Sequence, residues 1–340
     1  MSRRLPLGIR RRRLLKSLSR QVSVSLMNKR AVRLLRVALV AVLLWLSLAA
    51  PVAAGQIEDG WAAYQRGDYT TALRLWRPLA GQGDARAQRL LGVMYTDGNG
   101  VPQDYAEAAK WLSKAAAGGD ALAQASLGLV YYAGRGVPKD FAKAAKWSRK
   151  AADQGSAIAQ GLLGEMYSSG QGVVQDYAKA VKWLRKAADQ GFAPAQLDLA
   201  AIYAHGLGVP KDYTAASKWF RKAADQGIAT AQGQIGFMYD NGLGVPKDPA
   251  QAARWYRKAA DQGDATAQSN LAFMYAIGRG VPKDYVQAHM WSNLAAAGAP
   301  ASGIYHDVAV KVRDHVAALM SPEQIAEAQN LAREWKPSRP

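Results

Sequence analysis

The stretch ARAQRLLGVMYTDGNGVPQDYAEAAKWLSKAAAGGD, residues 85–120, returns as ALAQASLGLVYYAGRGVPKDFAKAAKWSRKAADQGS over residues 121–156. Four more copies follow, so Ala-x-Ala-Gln begins at Ala85, Ala121, Ala157, Ala193, Ala229 and Ala265, 36 residues apart without insertion. Every copy continues through a tyrosine (Tyr95, Tyr131, Tyr167, Tyr203, Tyr239, Tyr275) and a Gly-x-Gly-Val loop. An aspartate comes next (Asp104, Asp140, Asp176, Asp212, Asp248, Asp284), then a tryptophan (Trp111, Trp147, Trp183, Trp219, Trp255, Trp291). A fixed period of this length marks stacked supersecondary units, each touching only its neighbours.

Within one copy the pattern reads helix, loop, helix. Ala87, Leu91, Met94 and Tyr95 fall on one face of a 3.6-residue period. Gly98 ends that helix by tolerating positive φ. Pro102 extends the chain toward Asp104, whose carboxylate is placed to accept the free amides of the next helix. Tyr105, Ala108, Trp111 and Ala115 then share a face of the second helix, and Gly119 stops it. The aromatic columns read as packing positions, where truncating a buried tryptophan costs about 3–5 kcal/mol. One helix pair cannot bury its own apolar stripe, so the copies must stack. The expected fold is therefore an all-α solenoid of antiparallel helix pairs. Trp61–Ala80 reads as a shortened leading pair with a tight turn at Gly67-Asp68-Tyr69. Beyond Pro300 the period is lost, but Ser321-Pro322-Glu323-Gln324 offers an N-cap, a first-turn proline and a capping-box glutamine. That signature opens a capping helix ending near Trp335.

Ala-x-Ala-Gln-x-x-Leu-Gly-x-Met-Tyr-x-x-Gly-x-Gly-Val-Pro-x-Asp-Tyr, with Ala-x-x-Trp and Lys-Ala-Ala-Asp-Gln-Gly behind it, resembles the Sel1-like repeat, a relative of the tetratricopeptide repeat with a longer internal loop. The resemblance covers roughly Trp61–Pro300. Departures are confined to Ala200 and Ala272 in place of the glycine, Val174 in place of the proline and Pro249 in place of the aromatic. It implies a right-handed superhelix acting as an adaptor for other proteins, in the bacterial envelope or in signalling assemblies.

The formal net charge of +18 invites a nucleic-acid reading that its distribution removes. Twelve of the 44 Lys and Arg lie between Arg3 and Arg36, and the first acid is Glu58. From Gly55 onward the balance is only +6, 32 basic against 26 acidic residues. The basic stretch is followed by an apolar run from Val37 to Ala50 and by small residues at Val52-Ala53-Ala54, the three parts of a secretory signal. The expected organisation is then an overlong basic n-region or mis-assigned start over 1–26, with Met27 able to begin an ordinary signal over 27–54. A partial repeat occupies 55–84, six repeats 85–300, and capping helices with a tail 301–340. Arg11-Arg12-Arg13-Leu14-Leu15-Lys16 resembles a twin-arginine motif but stands far from the apolar run it should adjoin. An uncleaved anchor over Val37–Ala54 is the alternative, and only then would the chain hold to a membrane. Either way the body is exported to the periplasm, with the anchored form facing it from the inner membrane.

Little in the body points to catalysis. With zero cysteines there are no disulfides, thiolate metal sites or thiol nucleophiles. His205, His289, His306 and His315 show no metal-ligand spacing and read as surface residues. The aspartate column caps helices, the glycines break them, and no nucleophile, metal or cofactor motif stands out. The expectation is no enzyme and no cofactor. A cell-wall-related hydrolase is the third reading and lacks a nucleophile.

Positions that vary between copies carry the functional expectation. They lie at Arg86, Leu90, Val93, Asp97 and their equivalents, spaced as a second stripe on the first helix. In related solenoids the first helices line the concave surface, so these side chains would face a ligand together. Candidate partner-binding residues are Glu165, Asp198, His205, Gln234, Phe237, Asn241, Asn270 and Phe273, with the two phenylalanines not required by the repeat. The alternative is that solvent tolerates variation there. The second helices carry a basic ridge of Lys110, Lys146, Lys182, Lys218 and Arg254, with Lys114, Lys150, Lys186, Lys222 and Lys258 one turn on. Such lysines favour the helix dipole and solubility, or they contact an anionic envelope polymer. The leading expectation is a non-catalytic adaptor holding a protein partner, with polymer binding as the runner-up.

Overall fold

The computed structural model describes residues 55–299 and 304–338. The expected n-region and signal, residues 1–54, lie outside the described residues. The chain divides into two compact units, Met1–Gln103 and Asp104–Pro340. All regular structure among the described residues is helical.

The described part of the first unit holds α1 (55–65), α2 (Tyr69–Gly81) and α3 (Ala85–Asp97). Gly67 takes φ 79°, and Asp68 then caps α2 by accepting from the Thr71 amide at 3.0 Å. Trp76 is fully buried, and its indole N–H donates to the Ile57 carbonyl at 3.3 Å. Gly60 gives it room, since a Cβ there would sit 2.2 Å from the Trp76 Nε1. Packing of α2 on α3 buries Leu90, Leu91 and Met94.

The second unit is an α-solenoid. It begins with α4 (Tyr105–Ala117) and continues in pairs: α5 (Ala121–Ala133) with α6 (Phe141–Asp153), and α7 (Ala157–Ser169) with α8 (Tyr177–Asp189). Next come α9 (Ala193–His205) with α10 (Tyr213–Asp225), α11 (Ala229–Asn241) with α12 (Pro249–Asp261), and α13 (Ala265–Ile277) with α14 (Tyr285–Gly298). Each pair packs together, and each second helix packs on the first helix of the next copy. The first helices also meet directly, α5 on α7 and α7 on α9. Two capping helices, α15 (Ile304–Ala317) and α16 (Pro322–Glu334), close on α14, with α15 also against α13.

The caps follow the sequence. Asp140, Asp176, Asp212, Asp248 and Asp284 each accept a backbone amide of the helix they precede, and Ser321 and Gln324 form the reciprocal capping box of α16. The first glycine of the loop ends each first helix with φ near 70–75°. The second is needed for close approach as well. A Cβ on Gly136 would lie 2.2 Å from the Tyr105 carbonyl, so the loop rests on the backbone opening α4.

A buried glutamine ladder ties copy to copy. Gln124 Nε2 donates to the Ala116 carbonyl at 3.1 Å, and Gln154 Nε2 donates to Gln124 Oε1 at 2.8 Å. The same pair of bonds recurs at Gln160, Gln196 and Gln232. Buried amides satisfied this way fix register, because slipping one copy would strand them.

Three sequence expectations need correction. The tryptophan column is not uniformly core: Trp255 and Trp291 are buried, but Trp111, Trp147, Trp183 and Trp219 are half-buried. The next residue fills the core instead, as at Leu112, Leu184, Phe220 and Tyr256. The half-buried indoles are covered by cations. Lys114, Lys150, Lys186 and Lys222 lie 4.2–4.8 Å from the ring centroids one turn back. His289 is buried, not on the surface, and burial with the nearby Arg313 charge holds its pKa below the usual value. Leu90 and Leu162, expected on the ligand-facing stripe, are buried fillers.

Candidate functional site

On the first helices the repeat itself uses the alanine, glutamine, leucine and methionine positions, leaving the variable stripe for other work. In α7 that stripe is closed by Leu162, which is buried beside Met166. In α9 the equivalent position is Asp198, and the next stripe residue is Ala201, whereas α11 and α13 carry Phe237 and Phe273 there. A methyl group facing a phenyl ring leaves space, and a cleft of about 570 Å³ opens between α9 and α11. Its walls include Leu197, Asp198, Ala201, His205, Gln234, Phe237 and Leu243, with Tyr213 and Phe220 contributed by α10. A smaller depression of about 190 Å³ lies between α11 and α13, against Gly233, Gln234, Phe237, Asn270 and Tyr305 of α15. A Cβ added at Gly233 would meet nothing within 4 Å, so glycine there leaves the second depression open.

Of the eight candidate residues, the cleft brings together Asp198, His205, Gln234 and Phe237, and the depression joins Gln234 and Phe237 to Asn270. Glu165, Asn241 and Phe273 line neither. Phe237 and Phe273 are 46% and 43% exposed, a large apolar presentation for side chains that the repeat does not need. Asn241 is exposed and folds back to donate to the Phe237 carbonyl at 2.9 Å. Glu165 is exposed and accepts from the Tyr132 hydroxyl of α5 at 2.6 Å.

The electrostatics of the face centre on two carboxylates. Burial first, then the Glu165 charge, push Asp198 up to about 6. Tyr132 is pushed up to about 12 by burial and by its bond to Glu165. No described side chain donates a hydrogen bond to Asp198. Lys211 lines the same cleft, but its ammonium sits 4.7 Å over the Tyr213 ring. Among the described residues there is no cluster of three or more His, Asp or Glu able to hold a metal ion, and no helix is long and apolar enough to cross a membrane. The groups present can accept a cation and bury apolar surface.

Consecutive matches to the Sel1 repeat cover residues 85–120, 121–156, 157–192, 193–228, 229–264 and 265–299. The chain belongs to the Sel1 repeat family. Its solved relatives agree. A Sel1 repeat protein from Oxalobacter formigenes is 35% identical, with a TM-score of 0.65 over 72% of this chain and 100% of that one. A protective antigen present in uropathogenic Escherichia coli strains, displaying an SLR fold, is 32% identical, with a TM-score of 0.57 over 83% of this chain and 68% of that one. A search of curated proteins finds no match. Sel1 repeat proteins are in general non-catalytic scaffolds that bind other proteins.

Sequence reasoning missed one Sel1 feature altogether. Arg149, Arg185, Arg221 and Arg257 each donate to the tyrosine hydroxyl of the following copy, at Tyr167, Tyr203, Tyr239 and Tyr275. Three of these guanidiniums also lie 4.8–5.1 Å from the next tryptophan ring. The lysines on the indoles, Lys114, Lys150, Lys186, Lys222 and Lys258, absorb half of the basic ridge into the scaffold. Lys110, Lys146, Lys182, Lys218 and Arg254 remain exposed. The arginine column is visible in the sequence, but its partners stand 18 residues on, in another copy.

Proposed function

We propose that the protein is an exported, non-catalytic adaptor of the cell envelope that holds a segment of a partner protein on the variable face of its first helices. The observation that carries this reading is the cleft between α9 and α11, which is lined mostly by residues the repeat does not specify, while most repeated residues are consumed by caps, ladder and core. Direct packing of α5 on α7 and of α7 on α9 supports the first helices as the inner, concave side of the stack. The basic and apolar leader supports export to the periplasm, cleaved or anchored. The E. coli neighbour's standing as a protective antigen is in keeping with an exported body.

The test is crosslinking capture from envelope extract with protein purified from cells expressing the full chain. A parallel sample carries Glu165→Ala, Phe237→Ala and Phe273→Ala, with its helical circular dichroism matched to the parent. The reading expects a protein captured by the parent and lost from the variant. Equal capture by both would leave an adaptor without this face, and salt-sensitive retention on purified sacculi with no captured protein would favour the polymer-binding role instead.

A further inference from the structure

The cleft between α9 and α11 has an apolar body and one charged end. Leu197, Ala201, Leu243 and the ring of Phe237 form the walls, and Asp198 supplies a carboxylate that no described side chain bonds. Glu165 adds a second negative charge, acting on Asp198 from the adjacent copy. The cation already in the cleft, Lys211, is turned onto Tyr213. Burial and the Glu165 charge both disfavour the ionised Asp198 carboxylate, and a cation brought into the cleft would relieve this. A divalent metal would need further ligands, and among the described residues no three His, Asp or Glu come together in a way that could hold one. Lysine and arginine suit the site because they carry an apolar stem behind a charged tip and stack on aromatic faces. The neighbouring depression, across Phe237, is smaller and has room for one modest apolar side chain.

Resting on the adaptor reading above, we propose that the occupant is a protein segment presenting a lysine or arginine beside an apolar side chain, with the cation between Asp198 and Phe237 and the apolar group in the depression at Gly233 and Tyr305. Charge complementarity selects this occupant over an acidic segment, which would meet the Asp198 carboxylate in the cleft and feel the Glu165 charge from the adjacent copy. Selectivity comes from the carboxylates and affinity from the buried phenyl surface, the usual division of labour at an interface.

The probe is a random octapeptide display library, selected on protein purified from cells expressing the full chain. The best sequences are then synthesised with a fluorophore, alongside analogues carrying glutamine or glutamate for each basic residue. The proposal expects every enriched sequence to hold a lysine or arginine next to a large apolar residue. Asp198→Asn should weaken the parent peptide about ten- to a hundredfold, as loss of a charge-assisted bond does. Asp198→Lys should transfer preference to the glutamate analogue. Enrichment without basic residues, or affinity indifferent to Asp198→Asn, would overturn it. Loss with Phe237→Ala but not with Asp198→Asn would keep the groove and discard the cation. Affinity unchanged by both, or no peptide enriched above a selection on the Phe237→Ala, Phe273→Ala variant, would discard both. Sedimentation showing a dimer that Phe237→Ala dissolves would assign the face to a second copy and also end the proposal.

Discussion

The α7 face and the α9–α11 face are built on the same repeat, yet one is closed and the other open. At equivalent positions α7 has Leu162, buried against its neighbours, and α9 has Asp198, lining a cleft. The glycine C-caps, glutamine ladder and helix lengths are alike in both, and only the N-caps differ, with Ser156 accepting the Ala159 amide at α7 and Phe192 giving α9 no side-chain cap. A repeat fixes its stacking through a minority of positions and leaves the rest to be filler in one copy and lining in the next. Variation between copies therefore marks freedom from the scaffold, and the local neighbours decide whether that freedom becomes a site.

Exchanging the two residues should separate the faces most sharply. Leu162→Asp places a carboxylate where α7 has no room for water, and should cost about 3–5 kcal/mol in urea denaturation followed by circular dichroism. Asp198→Leu should cost nothing comparable, and a similar loss from both would mean that the α9 position is packed after all. A second contrast lies within the tryptophan column. Trp291→Ala removes a fully buried indole that also meets Trp335 at 6.3 Å and should cost about 3–5 kcal/mol. Trp147→Ala removes a half-buried one under Lys150 and should cost about 1–2 kcal/mol. Equal melting-temperature losses would restore the uniform column that the sequence suggests.

The pH dependence of Asp198 sharpens the comparison further. Its pKa of about 6 in the folded state lies above the ordinary 3.8, so folding tightens its hold on the proton. That contribution to stability is complete below about pH 4 and is lost as pH rises through about 6. Asparagine does not titrate. Asp198→Asn should therefore be more stable than the parent by about 1–3 kcal/mol above pH 7, with the difference shrinking toward zero below pH 4. A variant less stable at pH 8 would show that the carboxylate has a partner in the fold. The titratable groups around it are Glu165, Tyr132, His205 and Lys211, and the same scan with Glu165→Gln should lower the Asp198 midpoint by removing the one like charge acting on it. The smallest effect is expected on the scaffold side. Arg185→Lys keeps the charge but loses the planar contact with Tyr203, and should cost about 0.5–1 kcal/mol.

Much of the scaffold was legible because its signals are local. Asp176 before a helix, Gly98 after one and Ser321 with Gln324 within one turn are read without knowing the neighbours. The half-burial of Trp147 was not legible. A constant column announces a shared role, and periodicity cannot tell a core indole from one covered by a lysine one turn away. The arginine–tyrosine bonds were missed for the same reason, since they join residues of different copies. At the site, exposure of Phe237 and Phe273 could be inferred from their irrelevance to the repeat. The cleft could not, because it arises from a small side chain at Ala201 facing α11, as the depression beside it is left open by Gly233. Glu165 on α7 and Phe273 on α13 fall outside it because those helices do not border it.

The claim that the variable face of the first helices seats the partner is tested most directly by site-specific photocrosslinking in living cells. Benzoylphenylalanine replaces Phe237 in one strain and Lys182, exposed on a second helix, in another. The account predicts a discrete protein adduct from position 237 and none from position 182. Adducts from 182 alone would place the partner on the lysine-bearing second helices and contradict it.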